Sequence, residues 1–446
     1  MKRNTRDLLF QLGKDAKSTS IIIALSCVVV GTFLIWNHLG DVNNDIDYRE
    51  LLSVMIGVLT TIVVTTYSLT IVALQLASVQ FSPRILRWFF AEDRFNQIVL
   101  GTFIGEITYL MLLKTWSPKT LELPLIIGLC IAVFLICVVF PLFIAHIADC
   151  INAGAITRRI AFNLLDEIDL HYGTTKPSIQ DFSLAQKAKK TPSENVVHLY
   201  ARSNGYIESI DYQAFESIFQ YVKQVAAAKN IKIQHLIQKV SVGEFVAEGI
   251  SLFVLDIEGN SATECQALEA ILFKDETLCK LLHRCLKIEK YRSYHQDINF
   301  GIRQLVDIAI RAISPAVNDP TTCINSLDYL GMVLRRLVQC PPHCLAHQAM
   351  PDYLQVKEFG FREYLDHAFD QIYHFGQTDF IVVCRILRTL RSVIEVADYQ
   401  PYINILKSEY EDDKTDVLKL EDTFTPEGFM KIKREMEACE KVFNVN

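Results

Sequence analysis

The stretch from Leu51 to Phe81 constrains this chain more than any other. It holds one glycine, no proline and no charged residue. As a helix it would run roughly 46 Å at ~1.5 Å per residue, longer than the ~30 Å hydrocarbon core of a bilayer. It is not uniformly apolar. Thr61, Thr65, Ser68, Gln75, Ser78 and Ser82 recur at steps of three, four and seven, with Val72 at the missing place. That periodicity predicts a polar stripe on one helix face. Hydrocarbon offers such a stripe nothing, whereas a second copy of the helix or a water-filled path does. The chain therefore reads as an integral membrane protein.

Half of its 446 residues are hydrophobic and the mean hydropathy is +0.21, with the excess near the N-terminus. Four apolar segments stand out, at about 20–36, 51–81, 97–113 and 121–148, and read as transmembrane helices, the first and third near the lower length limit for a span. No small-residue cleavage site follows Trp36, so the first segment reads as a span and not as a removed signal. Lys2, Arg3, Arg6, Lys14 and Lys17 precede it, and Asp41, Asp45, Asp47 and Glu50 face a single Arg49 in the first loop. Arg84, Arg87 and Arg94 fill the second loop, and Arg158 and Arg159 follow the fourth span. Lys114 and Lys119 in the short third loop run against the trend. The best fit to the charge bias places both termini in the cytoplasm. The 12 cysteines show no disulfide framework, in keeping with a reducing compartment. A net charge of −7 argues against nucleic acid as a partner. The lipid bilayer and further copies of the chain are the partners expected.

The pattern predicts a cytoplasmic N-terminal tail over 1–19, a membrane domain over 20–150, and an exit helix and linker over 151–194. A small β-rich subdomain follows over 195–261 and a helical one over 262–446. Val196–Ala201 and Gly205–Ile210 are separated by Ser203-Asn204-Gly205, which signals a hairpin. Further strands are expected over Lys232–Val240 and Ile250–Ile257, giving a small β-sandwich. From about Ala262 the pattern is helical, with stops at Pro315, Pro320, Pro341-Pro342, Gly360 and Pro401. The fold class expected is thus four transmembrane helices followed by an α+β cytoplasmic domain.

Gln75-Leu-Ala-Ser-Val-Gln-Phe-Ser-Pro-Arg84, Phe95-Asn-Gln-Ile-Val-Leu-Gly-Thr-Phe-Ile104 and the long run from Gln296 through Asn318-Asp319-Pro320-Thr321-Thr322 resemble the bacterial predicted-membrane-protein family DUF2254. The resemblance implies membrane helices followed by a cytoplasmic domain, in a bacterial inner membrane. It implies no activity, cofactor or catalytic residue.

Several residue groups invite chemistry. Glu106 falls about midway along the third apolar segment, where a charged carboxylate is costly. It reads either as an ion or proton site or as a neutral acid bonded to a Thr/Ser face. Gly101 and Gly105 form a notch for helix packing. Arg303, Asp307 and Arg311 recur every four residues on one helix that is apolar nearly all round. With Asp297, Asn318 or Asp319 they form either a packing network or an anion site. Asn318-Asp319-Pro320-Thr321 reads as a helix start with Asp319 as cap. Cys340, His343, Cys344 and His347 offer zinc-type ligands at a spacing unlike the usual two separated pairs, so a plain loop competes with a metal site. No nucleotide-binding, metalloprotease or nucleophile-elbow motif is visible.

Three functions compete. The first is a homo-oligomeric channel or transporter-like protein, its second span lining a path for ions or a small solute through Thr61, Thr65, Ser68, Gln75 and Ser78, under a cytoplasmic regulatory domain. The second is a membrane-anchored sensor or scaffold. The third is an anchored enzyme with a site near Arg303, Asp307 and Asp319. The missing motifs shift the balance away from an enzyme.

Overall fold

The computed structural model describes residues 48–80, 94–116, 123–172, 195–258, 262–293, 296–340, 353–357 and 359–444. These form two compact units that divide after Ala155.

The first unit contains α1 (Tyr48–Gln80), α2 (Arg94–Trp116), α3 (Leu123–Phe134) and α4 (Phe140–Ile151). A π-turn, Leu135–Val139, joins the last two. Its wide turn, closed by Phe140 N–H donating to Leu135 O, sits just before Pro141. Proline lacks an N–H and its ring crowds the preceding turn of an α-helix, which a π-turn relieves. Three stretches are long and apolar enough to cross a membrane: Arg49–Ala77, Gln97–Thr115 and Leu125–Asp149. The expected span over 20–36 lies outside the described residues. The helices pack through one apolar seam: Leu52, Leu59, Ile62 and Ala73 of α1, Val99, Phe103 and Leu110 of α2, and Leu125, Ala132, Leu135, Phe143 and Ile147.

The second unit begins within α5 (Ala153–Tyr172), which buries Ile156, Ile160, Leu164 and Ile168 at helical spacing. The strands are β1 (Val196–Tyr200), β2 (Gly205–Ile210), β3 (Ile233–Gln238), β4 (Phe245–Val246), β5 (Ser251–Ile257), β6 (Leu286–Glu289) and β7 (Leu354–Gln355). They form a four-stranded sheet, β1-β5-β3-β7, and a three-stranded sheet, β4-β2-β6. The expected hairpin is corrected here, because β1 and β2 belong to different sheets. β1 aligns Val197 and Leu199 with Leu255 and Phe253 of the buried β5, while β2 pairs with β4 and β6. Burial of matching apolar rows outweighs the local turn signal. Three helices share the core of these sheets: α6 (Ala214–Ala227), α7 (Ala262–Lys274) and α8 (Glu276–Cys285), through Phe215, Phe219, Leu268 and Leu282.

The rest is helical: α9 (Ile298–Ala312), α10 (Pro320–Leu337), α11 (Phe361–Gly376), α12 (Phe380–Ile394), α13 (Gln400–Lys419) and α14 (Pro426–Phe443). Helix α9 is the centre, buried along most of its length and packed on α10 and α11. Gly301 lets α5 approach it, since a Cβ there would stand 2.6 Å from Leu164 Cγ.

Candidate functional site

The stripe of α1 is exposed within this unit. Thr61, Thr65, Ser68 and Gln75 all lie on its outer side, while the inner side buries Leu52, Leu59, Ile62, Thr66, Ala73 and Ala77. The side chain of Ser78 lies outside the described residues. Thr61 Oγ1 donates to Gly57 O (2.9 Å) and Thr65 Oγ1 to Thr61 O (2.8 Å). Their protons are thus used within the helix, and their lone pairs remain to face whatever covers the stripe. On α2, Gly101 and Gly105 have open space beside them among the described residues. Glu106 is buried in the seam between Phe103 and Leu110.

In the second unit the Arg303, Asp307, Arg311 ladder is only partly a unit. Arg303 Nε pairs with Asp307 Oδ1 at 2.8 Å, and Arg303 Nη1 donates to Gln371 Oε1 on α11 (2.6 Å). Arg311 is half-buried near the end of the helix. Asp319 caps α10, accepting from Thr322 N (3.2 Å) and Thr322 Oγ1 (2.6 Å). These bonds, led by the Thr322 hydroxyl, hold its carboxyl below the usual range. Asn318 is exposed and left-handed at φ 50°, a conformation asparagine tolerates better than most residues.

Asp297 goes elsewhere. It caps α9 through Phe300 N (2.9 Å) and takes a two-pronged bond from Arg292, with Nε to Oδ2 at 2.8 Å and Nη2 to Oδ1 at 2.9 Å. The turn before β4 covers this pair. Gly243 there has φ +84°, and a Cβ on it would come within 2.7 Å of Arg292 Nη2. The neighbouring Gln296, also left-handed at φ 59°, bonds both the N–H and the carbonyl of Ile210 through its side-chain amide. Gln296 also lines a cleft with His171, Tyr172, Tyr212, Ser241, Lys357 and Tyr364. Both cationic candidates in that cleft are partnered by acids: Lys357 with Glu244 (2.6 Å) and His171 with Glu167 (3.2 Å).

A second acidic group was not visible in the spacing of motifs, because its members come from two helices far apart in sequence. Helix α11 brings Asp366 and Asp370, and α13 brings Glu409. One carboxylate oxygen of each lies within 4.8 Å of the others, close enough to share a cation. Arg362 reaches Asp366 (3.3 Å) and Glu409 (3.4 Å). Burial, then the Asp366 charge, pushes Glu409 up to about 7 against the pull of Arg362. Burial, then Glu409, pushes Asp413 up to about 8. Asp413 Oδ2 and Tyr373 Oη have no hydrogen-bond partner.

Of the four zinc-type candidates, Cys340 is buried at the end of α10, its thiol bonded to Arg336, and burial pushes it up to about 11. That setting keeps the thiol in its non-ligating form. His343, Cys344 and His347 lie outside the described residues.

Two comparisons bear on identity. Uncharacterized proteins of Mycobacterium bovis and of two strains of Mycobacterium tuberculosis are 27% identical over 372 residues, covering 78% of this chain. The chain spans 64% of the length of these relatives. No solved structure matches. The profile of the family described as Predicted membrane protein (DUF2254) matches residues 18–392. With apolar helices long enough to span and a match over most of its length, the chain belongs to that family.

Proposed function

We propose that the chain assembles as a homo-oligomer in which the polar stripe of α1 surrounds a path for ions or a small solute. The cytoplasmic unit, with its two sheets as a small β-sandwich, regulates that path. One observation carries this reading: Thr61, Thr65, Ser68 and Gln75 are exposed on the side of α1 away from its apolar seam. A lipid-facing position has no use for a glutamine and a serine, whereas hydroxyl and amide oxygens hydrate a pore without trapping an ion. The topology that goes with it has four spans, the first over 20–36, and both termini in the cytoplasm. A closed scaffold is the second reading. It draws support from the Thr61 and Thr65 hydroxyls, which already donate to their own helix and need no partner.

Two measurements separate the readings. Native mass in nanodiscs should exceed that of one chain, and a monomer overturns the assembly. Ion or solute flux through reconstituted liposomes should fall with Thr65→Leu and change selectivity with Ser68→Asp. Absent flux, or flux indifferent to both changes, leaves the scaffold.

A further inference from the structure

Among the described membrane helices, two polar side chains are buried, and both lack a partner. Glu106 is 6% exposed and Thr66 is 1% exposed. Glu106 Oε1 and Thr66 Oγ1 have no hydrogen-bond partner. Both occupy seam positions that a leucine or valine would fill: Val99, Phe103, Glu106, Leu110 on α2, and Leu59, Ile62, Thr66, Ala73 on α1.

The hydroxyl of Thr66 is exceptional on its own helix. Thr60, Thr61, Thr65 and Thr70 each donate to the carbonyl four residues back. Thr66 does not, so its donor and its lone pairs are both available inside the bundle.

The two groups also share a depth. Thr66 stands 14 residues before the end of α1 and Glu106 stands 12 residues after the start of α2. At ~1.5 Å per residue, each lies about 20 Å from the connection between the helices. Consecutive spans run in opposite directions, and α1 packs on α2, so both groups fall near the middle of the bilayer.

A carboxylate there is costly without a counter-charge. Few ionisable groups stand on the described membrane helices. Helix α1 has Arg49 and Glu50 in its first turn and Tyr67 on its exposed side; α2 has Tyr109, with Arg94 and Lys114 towards its ends. Helix α3 and the π-turn carry Cys130 and Cys137, and α4 carries His146 and Asp149 in its last turns. Among the described residues no basic side chain stands midway along these helices, and of the small cations that could neutralise Glu106 a proton needs no further ligands.

We propose that Glu106 is an intramembrane proton-exchange site, with the unbonded Thr66 hydroxyl at the same depth of the bundle. The carboxylate takes up one proton and releases one. The site faces the apolar seam, not the stripe, so it stands whether or not the stripe lines a pore.

The test uses full-length protein in liposomes and dicyclohexylcarbodiimide, an apolar reagent that adds to protonated carboxyls, with the adduct mapped by mass spectrometry of peptides. Glu106 should be labelled, with occupancy falling towards about tenfold per pH unit once the carboxyl ionises. Glu106→Gln, a near-isosteric change that keeps the fold, should carry no adduct on that peptide. Absence of a Glu106 adduct at every pH in protein that elutes as wild type, or labelling indifferent to pH, overturns the proposal. Protection by sodium at constant pH overturns the proton in favour of an alkali cation.

Discussion

Replacing Asp413 with asparagine should stabilise this protein in alkaline buffer and leave it nearly unchanged in acid. Asp413 lies where α13 meets α11, among Asp366, Asp370, Glu409, Asp412 and Asp416, with Arg362 in ion-pair reach of three of these acids. Its Oδ2 has no partner. Burial raises its carboxyl from 3.8 to about 8, with Glu409 the next contributor. In the unfolded chain the proton leaves near pH 4, whereas in the folded chain it stays until about pH 8. Between those values the folded state holds a proton that the unfolded state has lost. Stability from this group is therefore full below about pH 4 and is lost as pH rises through about 8. At ~1.4 kcal/mol per pH unit the span of about four units sets a ceiling of ~5–6 kcal/mol. The neighbouring acids titrate together with Asp413, so the single replacement should recover part of that, ~2–4 kcal/mol at about pH 9. An amide cannot ionise and removes the penalty. For a domain of this size the gain corresponds to a Tm rise of about 3–7 °C. Thermal melts of the full-length protein in detergent, followed by circular dichroism at about pH 5 and pH 9, measure it. A wild-type Tm that is flat across this range refutes the reasoning, as does an Asp413→Asn loss that is equal at both ends. A wild-type Tm at pH 9 that drops on adding chelator would show that a bound cation, not a proton, neutralises the group.

Gly301→Ala should cost ~1–3 kcal/mol by forcing α5 and α9 apart at Leu164, read as a lower Tm; an unchanged Tm would mean that this contact relaxes freely. Asp297→Ala should cost ~3 kcal/mol or more, because it removes the α9 cap and strands Arg292. Asp307→Asn breaks a pair whose arginine is one-third exposed and should cost under ~1 kcal/mol. If Asp307→Asn proves the more damaging of these two in melts, the ladder matters more to the fold than its geometry says.

Hydropathy was enough to recognise a membrane protein and to place the second, third and fourth apolar segments, because each is a continuous local pattern. The polar stripe was equally local: a period of three and four on one helix states which residues share a face. The Asp319 cap and the strands β1, β2, β3 and β5 were legible for the same reason. What local pattern could not show is pairing. β1 and β2 sit beside a good turn sequence yet join different sheets, and β6 and β7 are too short to signal themselves before a partner strand exists.

Sequence by itself determined the class of protein, the second, third and fourth apolar segments and the face on which Thr61, Thr65 and Ser68 stand. Only the tertiary structure decided that Thr66 and Glu106 are buried without partners, that Asp297 belongs to Arg292, and that four acids from α11 and α13 meet. The physical reason is range. Burial and electrostatic coupling act through space between helices distant along the chain, and no periodicity within either helix records which face of the other it will meet.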